Sequence, residues 1–138
     1  MIEVEIVGQI KNKKLVHTMC YDILDELLPR IKRQVEITIN IITSCDGQES
    51  GYCLGDKNGV TIDVARETSG YKLPYDEIVL TLCHELVHAK QFIKGELTED
   101  LKWMGKSLRH LPIKDHPWEH EAYNLEKILY NKYAKGIL

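Results

Sequence analysis

Nowhere does this chain carry an apolar run close to the roughly 20 residues a membrane-spanning helix requires, so a transmembrane role is not expected. Its first ten residues alternate apolar and charged side chains instead of forming an apolar block, and no secretory leader is expected there. Cysteine is sparse. Cys20, Cys45, Cys53 and Cys83 form no CxxC pair, the spacing used by cysteine-rich zinc modules and redox dithiols. Reduced thiols in a cytoplasmic protein are the expectation. Charge is nearly balanced, 18 Lys and Arg against 21 Asp and Glu for a net of −3, and the basic residues are scattered. Phosphate contacts need a concentrated basic face, so no nucleic-acid partner is expected. The short groups Lys11, Lys13, Lys14 and Arg30, Lys32, Arg33 read as solvated surface. No repeat or Gly/Ser-rich linker divides the 138 residues, and their 43% hydrophobic content suffices for one core. Residues 1–138 are therefore expected to form one domain.

What the chain does have is periodicity. Ile2 to Val7 alternates apolar and acidic side chains, the pattern of a half-buried strand. Asn12 to Leu28 is an amphipathic helix with Leu15, Val16, Met19, Ile23, Leu24, Leu27 and Leu28 inward, ended by Pro29. A second strand spans Val35 to Thr43, and Asp46-Gly47 marks a turn in the polar loop after it. Tyr52 to Gly55 and Val60 to Arg66 flank Asp56-Lys57-Asn58-Gly59, a hairpin signal. Glu67 to Leu73 reads as loop. Tyr75 to Lys94 is the longest helical pattern, with Pro74, Asp76 and Glu77 at its start and Gly95 after its end. Glu96 to Ile113 has no clear period and reads as a short helix followed by a loop. A last helix runs from about Pro117 to Lys135, capped by Asp115 or His116, with Trp118, Ala122, Leu125 and Leu129 inward. These elements predict an α+β fold with a small, mostly antiparallel sheet.

The chemistry concentrates in His84-Glu85-Leu86-Val87-His88. Two histidines four apart on a helix project from one face, one turn apart, and can grip one metal ion. Glu85 beside the first can take a proton from a water held there. This is the HExxH pattern of zinc hydrolases. Five residues alone arise by chance in roughly one of forty shuffles of this composition, so the helix around them carries much of the weight. Cys83, about 100° around the helix from His84, reads as core. A catalytic zinc needs a third protein ligand. Glu96, Glu99, Asp100, His110, Asp115, His116, Glu119, His120, Glu121 and Glu126 are available. A rigid element able to approach closely favours the last helix, where Glu119 sits at the start and Ala122 is small.

His84-Glu85-x-x-His88 followed by Glu119-His120-Glu121-Ala122 resembles the gluzincin metallopeptidases, in which a glutamate of an ExxA-type motif on a later helix completes HExxH. Pro117-Trp118-Glu119-His120-Glu121-Ala122 is also similar to a segment of small phage-type metallopeptidase-like proteins. The resemblance covers roughly residues 59–130. It implies a zincin-like fold, a Zn²⁺ site of His84, His88 and Glu119, and Glu85 as general base in peptide-bond hydrolysis. Glu121 is the competing ligand, and whichever glutamate is not the ligand would orient a histidine. Peptide deformylases instead take an upstream cysteine, the part Cys53 would fill. Candidate oxyanion donors are His110, His116, His120 and Tyr123. A peptide or protein substrate could add to a sheet edge at Val60 to Ala65 or Tyr52 to Leu54. The alternative function is a zinc-stabilised, non-catalytic interaction protein.

Overall fold

A computed structural model of the chain describes residues 1–45 and 48–138; the expected turn at Asp46-Gly47 lies outside the described residues. The architecture is α+β. Four strands, β1 (Ile2–Val7), β2 (Val35–Ile42), β3 (Gly51–Gly55) and β4 (Gly59–Ala65), form one sheet in the order β1-β2-β4-β3. Three helices, α1 (Lys13–Leu27), α2 (Tyr75–Ile93) and α3 (Pro117–Tyr133), accompany it. Helix α1 packs against β1 and α2, α2 lies against β3 and β4, and α3 packs on α2 and α1.

The period-2 pattern explains which face is covered. Val35, Ile37, Ile39 and Ile41 of β2 and Val60, Ile62 and Val64 of β4 are buried in the core with the helices. Glu36, Thr38, Asn40, Thr61 and Asp63 alternate with them on the opposite face, where Asn40 donates to Asp63 at 3.0 Å. Helix α1 buries Val16, Met19, Cys20, Ile23 and Leu24, whereas Leu15, expected inward, is exposed. No described helix is long and apolar enough to cross a membrane.

The expectation of a mostly antiparallel sheet is corrected. β1 with β2 and β2 with β4 are parallel, and only β3 with β4 is antiparallel. The cause is connectivity. Helix α1 carries the chain from the end of β1 back to the start of β2, which makes those strands parallel. The link after β2 then passes the neighbouring position to β3 at the sheet edge, and the hairpin returns β4 inward beside β2. One wet face is more typical of antiparallel sheets, so the alternation gave no warning.

Two further differences are local. The link expected as loop holds a two-residue hairpin, β5 (Glu67–Thr68) with β6 (Tyr71–Lys72), turning on Ser69 and Gly70 at φ of 50° and 78°. The segment expected to open with a short helix instead forms β7 (Lys102–Trp103) and β8 (Lys106–Ser107) around Met104 and Gly105 at φ of 51° and 85°. Paired positive φ values are the geometry that closes two-residue hairpins. The β3–β4 turn is different: neither Asn58 nor Gly59 is left-handed, and Asp56 Oδ1 accepts the N–H of both.

The two outer edges of the main sheet are unlike. On β1 the Val4 N–H donates to Tyr21 Oη at 3.0 Å, and His17 Nε2 lies 2.8 Å from the Val4 carbonyl. Both capping side chains come from α1. On β3, Ala65 N–H donates to the Ser50 carbonyl and Asp56 N–H to that of Gly59. By antiparallel alternation the backbone groups of Gly51, Cys53 and Gly55 therefore turn outward. Removing a cap tests the first edge. Tyr21→Phe is expected to cost about 1 kcal/mol in urea unfolding and to speed hydrogen exchange at the Val4 amide. Unchanged exchange there would show that Tyr21 does not protect it.

Candidate metal centre

Every residue from Glu85 to Ile93 is buried, because α2 is enclosed by the sheet, α1 and α3. A helix that is covered on all sides can aim polar side chains only into space its neighbours leave. His84 and His88 aim at the first turn of α3. Pro117 at the first helical position and the short 3-10 turn Ile113–Asp115 before it set where that turn begins. His116 is the N-cap, without a side-chain capping bond, and Ala122, with no exposure, lies at the packed seam one turn after Trp118.

Three atoms converge. Glu119 Oε1 is 3.1 Å from His84 Nε2 and 3.1 Å from His88 Nε2, and the two imidazole nitrogens are 3.2 Å apart. Among the described residues this is the one group of three or more His, Cys, Asp or Glu arranged to hold a metal. Zinc with ligand bonds of about 2.0–2.1 Å and tetrahedral angles separates its ligand atoms by about 3.3 Å. The observed triangle is close to that spacing, and two imidazoles with one carboxylate are donors zinc accepts. The residues fit the ion.

The electrostatics follow from burial and mutual proximity. Burial opposes the charge of Glu119, but hydrogen bonds from His84 and His88 outweigh it and hold the carboxyl well below its usual range. Burial likewise opposes the charge of His88, and Glu119 and Glu85 overcome it to raise the imidazolium's pKa. Glu85 is 6% exposed. Desolvation pushes its carboxyl from the ordinary 4.5 up to about 7, against the opposing pull of His88 and His84. Its carboxylate rests on the start of β3, where a Cβ added to Gly51 would lie 2.9 Å from Glu85 Oε2 and 2.6 Å from Thr81 Cγ2. Glycine at 51 makes the space that Glu85 occupies.

Glu121 stands outside the converging group. Both of its oxygens lie 2.9 Å from Lys90 Nζ, and Oε1 accepts from Gln91 Nε2 at 2.9 Å. Lys90 is buried and also pairs with Glu96 at 2.8 Å. Gln91 in turn contacts His88 Nδ1 at 2.8 Å. His84 Nδ1 is 3.3 Å from Glu126 Oε2 but makes no hydrogen bond. Cys53 lines the same cleft without joining the group; burial, with the Glu85 charge nearby, raises its thiol pKa well above the usual value. Of the four oxyanion candidates, Tyr123 and His116 line the cleft. The Tyr123 ring packs 4.7 Å from that of His84, and His116 stacks on Trp118 at 4.2 Å. His120 is engaged with the Lys114 carbonyl, and both it and His110 are exposed outside the cleft.

Sequence reasoning missed Gln91 and Gly51 and did not single out Glu126. A polar residue three after His88 is one helical turn from it, and Glu126 lies two turns beyond Glu119 on the same face. Those spacings were the available signals. Comparison of the chain with protein-family models, with curated proteins and with solved structures found no match in any of the three.

Two outcomes check this geometry in chelator-treated protein. Gly51→Ala should lower stability by about 1–3 kcal/mol, because neither the sheet nor α2 has room for the methyl; wild-type stability would refute the close approach. Glu85 keeps its proton to about pH 7 when folded but releases it near 4.5 when unfolded. The folded state thus binds that proton more tightly, and the stability it confers, complete below 4.5, is lost as pH rises to 7. Glu85→Gln should therefore stabilise the protein at pH 8, by up to about 3 kcal/mol, and much less at pH 4.5. Equal effects at both values would contradict a buried, proton-retaining Glu85.

Proposed function

We propose that the chain is a zinc-dependent metallopeptidase with a minimal zincin-like, gluzincin-type fold. The observation that carries this reading is the convergence of His84 Nε2, His88 Nε2 and Glu119 Oε1 beside a buried Glu85, at the floor of a cleft bordered by an open strand edge. His84, His88 and Glu119 would hold the zinc. When bound, zinc supplies Lewis acidity that polarises a carbonyl and lets a water ionise near neutral pH.

The residues around it account for the rest of the chemistry. Glu85, with a proton affinity raised towards neutrality by burial, takes a proton from the attacking water at its carboxylate. As the C–N bond of the peptide breaks, the same carboxyl returns that proton to the leaving amine. Tyr123, whose ring lies 4.7 Å from that of His84 in the cleft, would supply the hydroxyl that donates to the developing oxyanion. Its phenol keeps its proton to higher pH than usual because of burial and the charges of Glu119, Glu126 and Glu85.

The substrate is an extended peptide. β4 is paired on both sides, which removes Val60 to Ala65 as a docking edge. β3 is the edge strand, and the outward backbone groups of Gly51, Cys53 and Gly55 offer N–H and C=O partners to a peptide laid alongside. Leu97, Leu101 and Trp118 also line the cleft.

Zinc stoichiometry and cleavage of a mixed peptide library test the assignment together. Glu85→Gln should retain zinc and lose about 100-fold or more in hydrolysis, and undiminished cleavage would remove Glu85 as the base. Glu119→Ala should lose zinc, whereas Glu121→Ala should keep more of it; the reverse order would move the ligand two residues along α3. Stoichiometric zinc with no cleavage of any peptide would favour the non-catalytic interaction protein.

A further inference from the structure

We propose that Gln91 is a positioning residue that dictates which nitrogen of His88 faces the metal centre, and that it does so by clasping the first turn of α3. The inference rests on the zinc reading above and deepens it.

Gln91 has no solvent exposure, so every polar atom of its amide must find a partner inside the protein. An amide has a donating end and an accepting end, and its neighbours decide which goes where. One end lies 2.9 Å from the Trp118 carbonyl and 2.9 Å from Glu121 Oε1. A carbonyl and a carboxylate only accept, so that end is Nε2. Lys90 Nζ, against both Glu121 oxygens, favours the ionised, accepting form. The other end, Oε1, is thereby fixed 2.8 Å from His88 Nδ1. Oxygen of an amide cannot donate, so His88 Nδ1 carries the hydrogen. A neutral imidazole with its hydrogen on Nδ1 has its lone pair on Nε2, the atom 3.1 Å from Glu119 Oε1 and 3.2 Å from His84 Nε2. Coordination by Nε2 is thus prepared by groups that never touch the ion.

The clasp also explains why the ligands meet. Trp118 immediately precedes Glu119, so the side chain that orients His88 also holds the backbone that delivers the carboxylate. His84 is held differently: its Nδ1 makes no hydrogen bond and faces Glu126 Oε2 at 3.3 Å.

The test is zinc affinity by competition with a chromophoric chelator, with visible spectra of the cobalt-substituted protein and nitrogen-15 spectra of the histidine rings. Gln91→Met keeps the bulk and removes both ends of the amide, and should weaken zinc by about 10–100-fold with an altered cobalt spectrum. Gln91→Glu keeps an acceptor opposite His88 Nδ1 and, held protonated by the facing Glu121 carboxylate, a donor towards Trp118 and Glu121, and should bind zinc more tightly than Gln91→Met. Wild-type affinity and spectrum in Gln91→Met, or equal weakness of the two variants, would overturn the proposal. Should either variant fail to fold, the zinc-loaded wild type decides: hydrogen on Nδ1 and metal on Nε2 of His88 supports it, and the opposite arrangement overturns it. A wild type that binds no zinc sinks the metallopeptidase reading and this proposal with it; zinc bound through His88 Nδ1 sinks this one alone.

Discussion

The seam between α2 and α3 is the constraint on which the site depends. Two imidazoles from one helix and a carboxylate from the other come within 3.2 Å of each other only if the helices approach closely, and Ala122 at the seam lets them. Buried polar groups in such a seam must be satisfied in full, since an orphaned one costs more than a lost contact. Gln91, Lys90 and Glu121 meet much of that demand as a connected chain of donors and acceptors, with Glu96 ion-paired to Lys90, while His84 Nδ1 is left without a hydrogen bond. Docking of α3 and orientation of His88 are therefore one event. A fold with a disordered last helix would keep the HExxH residues and lose the centre.

The same physics decides what was legible in the sequence. His84, Glu85 and His88 could be read because a helix turns four residues into one face, a purely local rule. The helices and the four main strands could be read because burial on one side leaves periods of 3.6 and 2. Glu119 needed more: ten downstream residues had the right chemistry, and the resemblance singled out the one that meets the histidines. Gln91 was invisible because a glutamine between Lys90 and Phe92 looks like a solvated position until α3 covers it. Gly51 was invisible because its role is the volume it leaves to Glu85, which no local pattern records. Strand direction was illegible for a related reason. Ile37, Ile39 and Ile41 alternate with polar neighbours in the same way whether β4 runs with β2 or against it.

Glu85 shows the cost of burying a carboxyl between α2 and β3. Burial that raises its pKa to about 7 also opposes folding once that proton leaves. Gly51 removes a side chain to make the room, and the strand gives up packing there. Local sacrifices of this kind run against the consistency between levels that otherwise specifies a fold.

The unequal treatment of the sheet's two borders has an effect on how copies of the chain meet. Val4, at the middle of β1, already has both backbone groups engaged by His17 and Tyr21, so a foreign strand finds no continuous ladder there. Ribbon growth requires two receptive borders, and the main sheet offers one. Self-association through strands would stop at a pair, and such a pair would occupy the border that flanks Glu85.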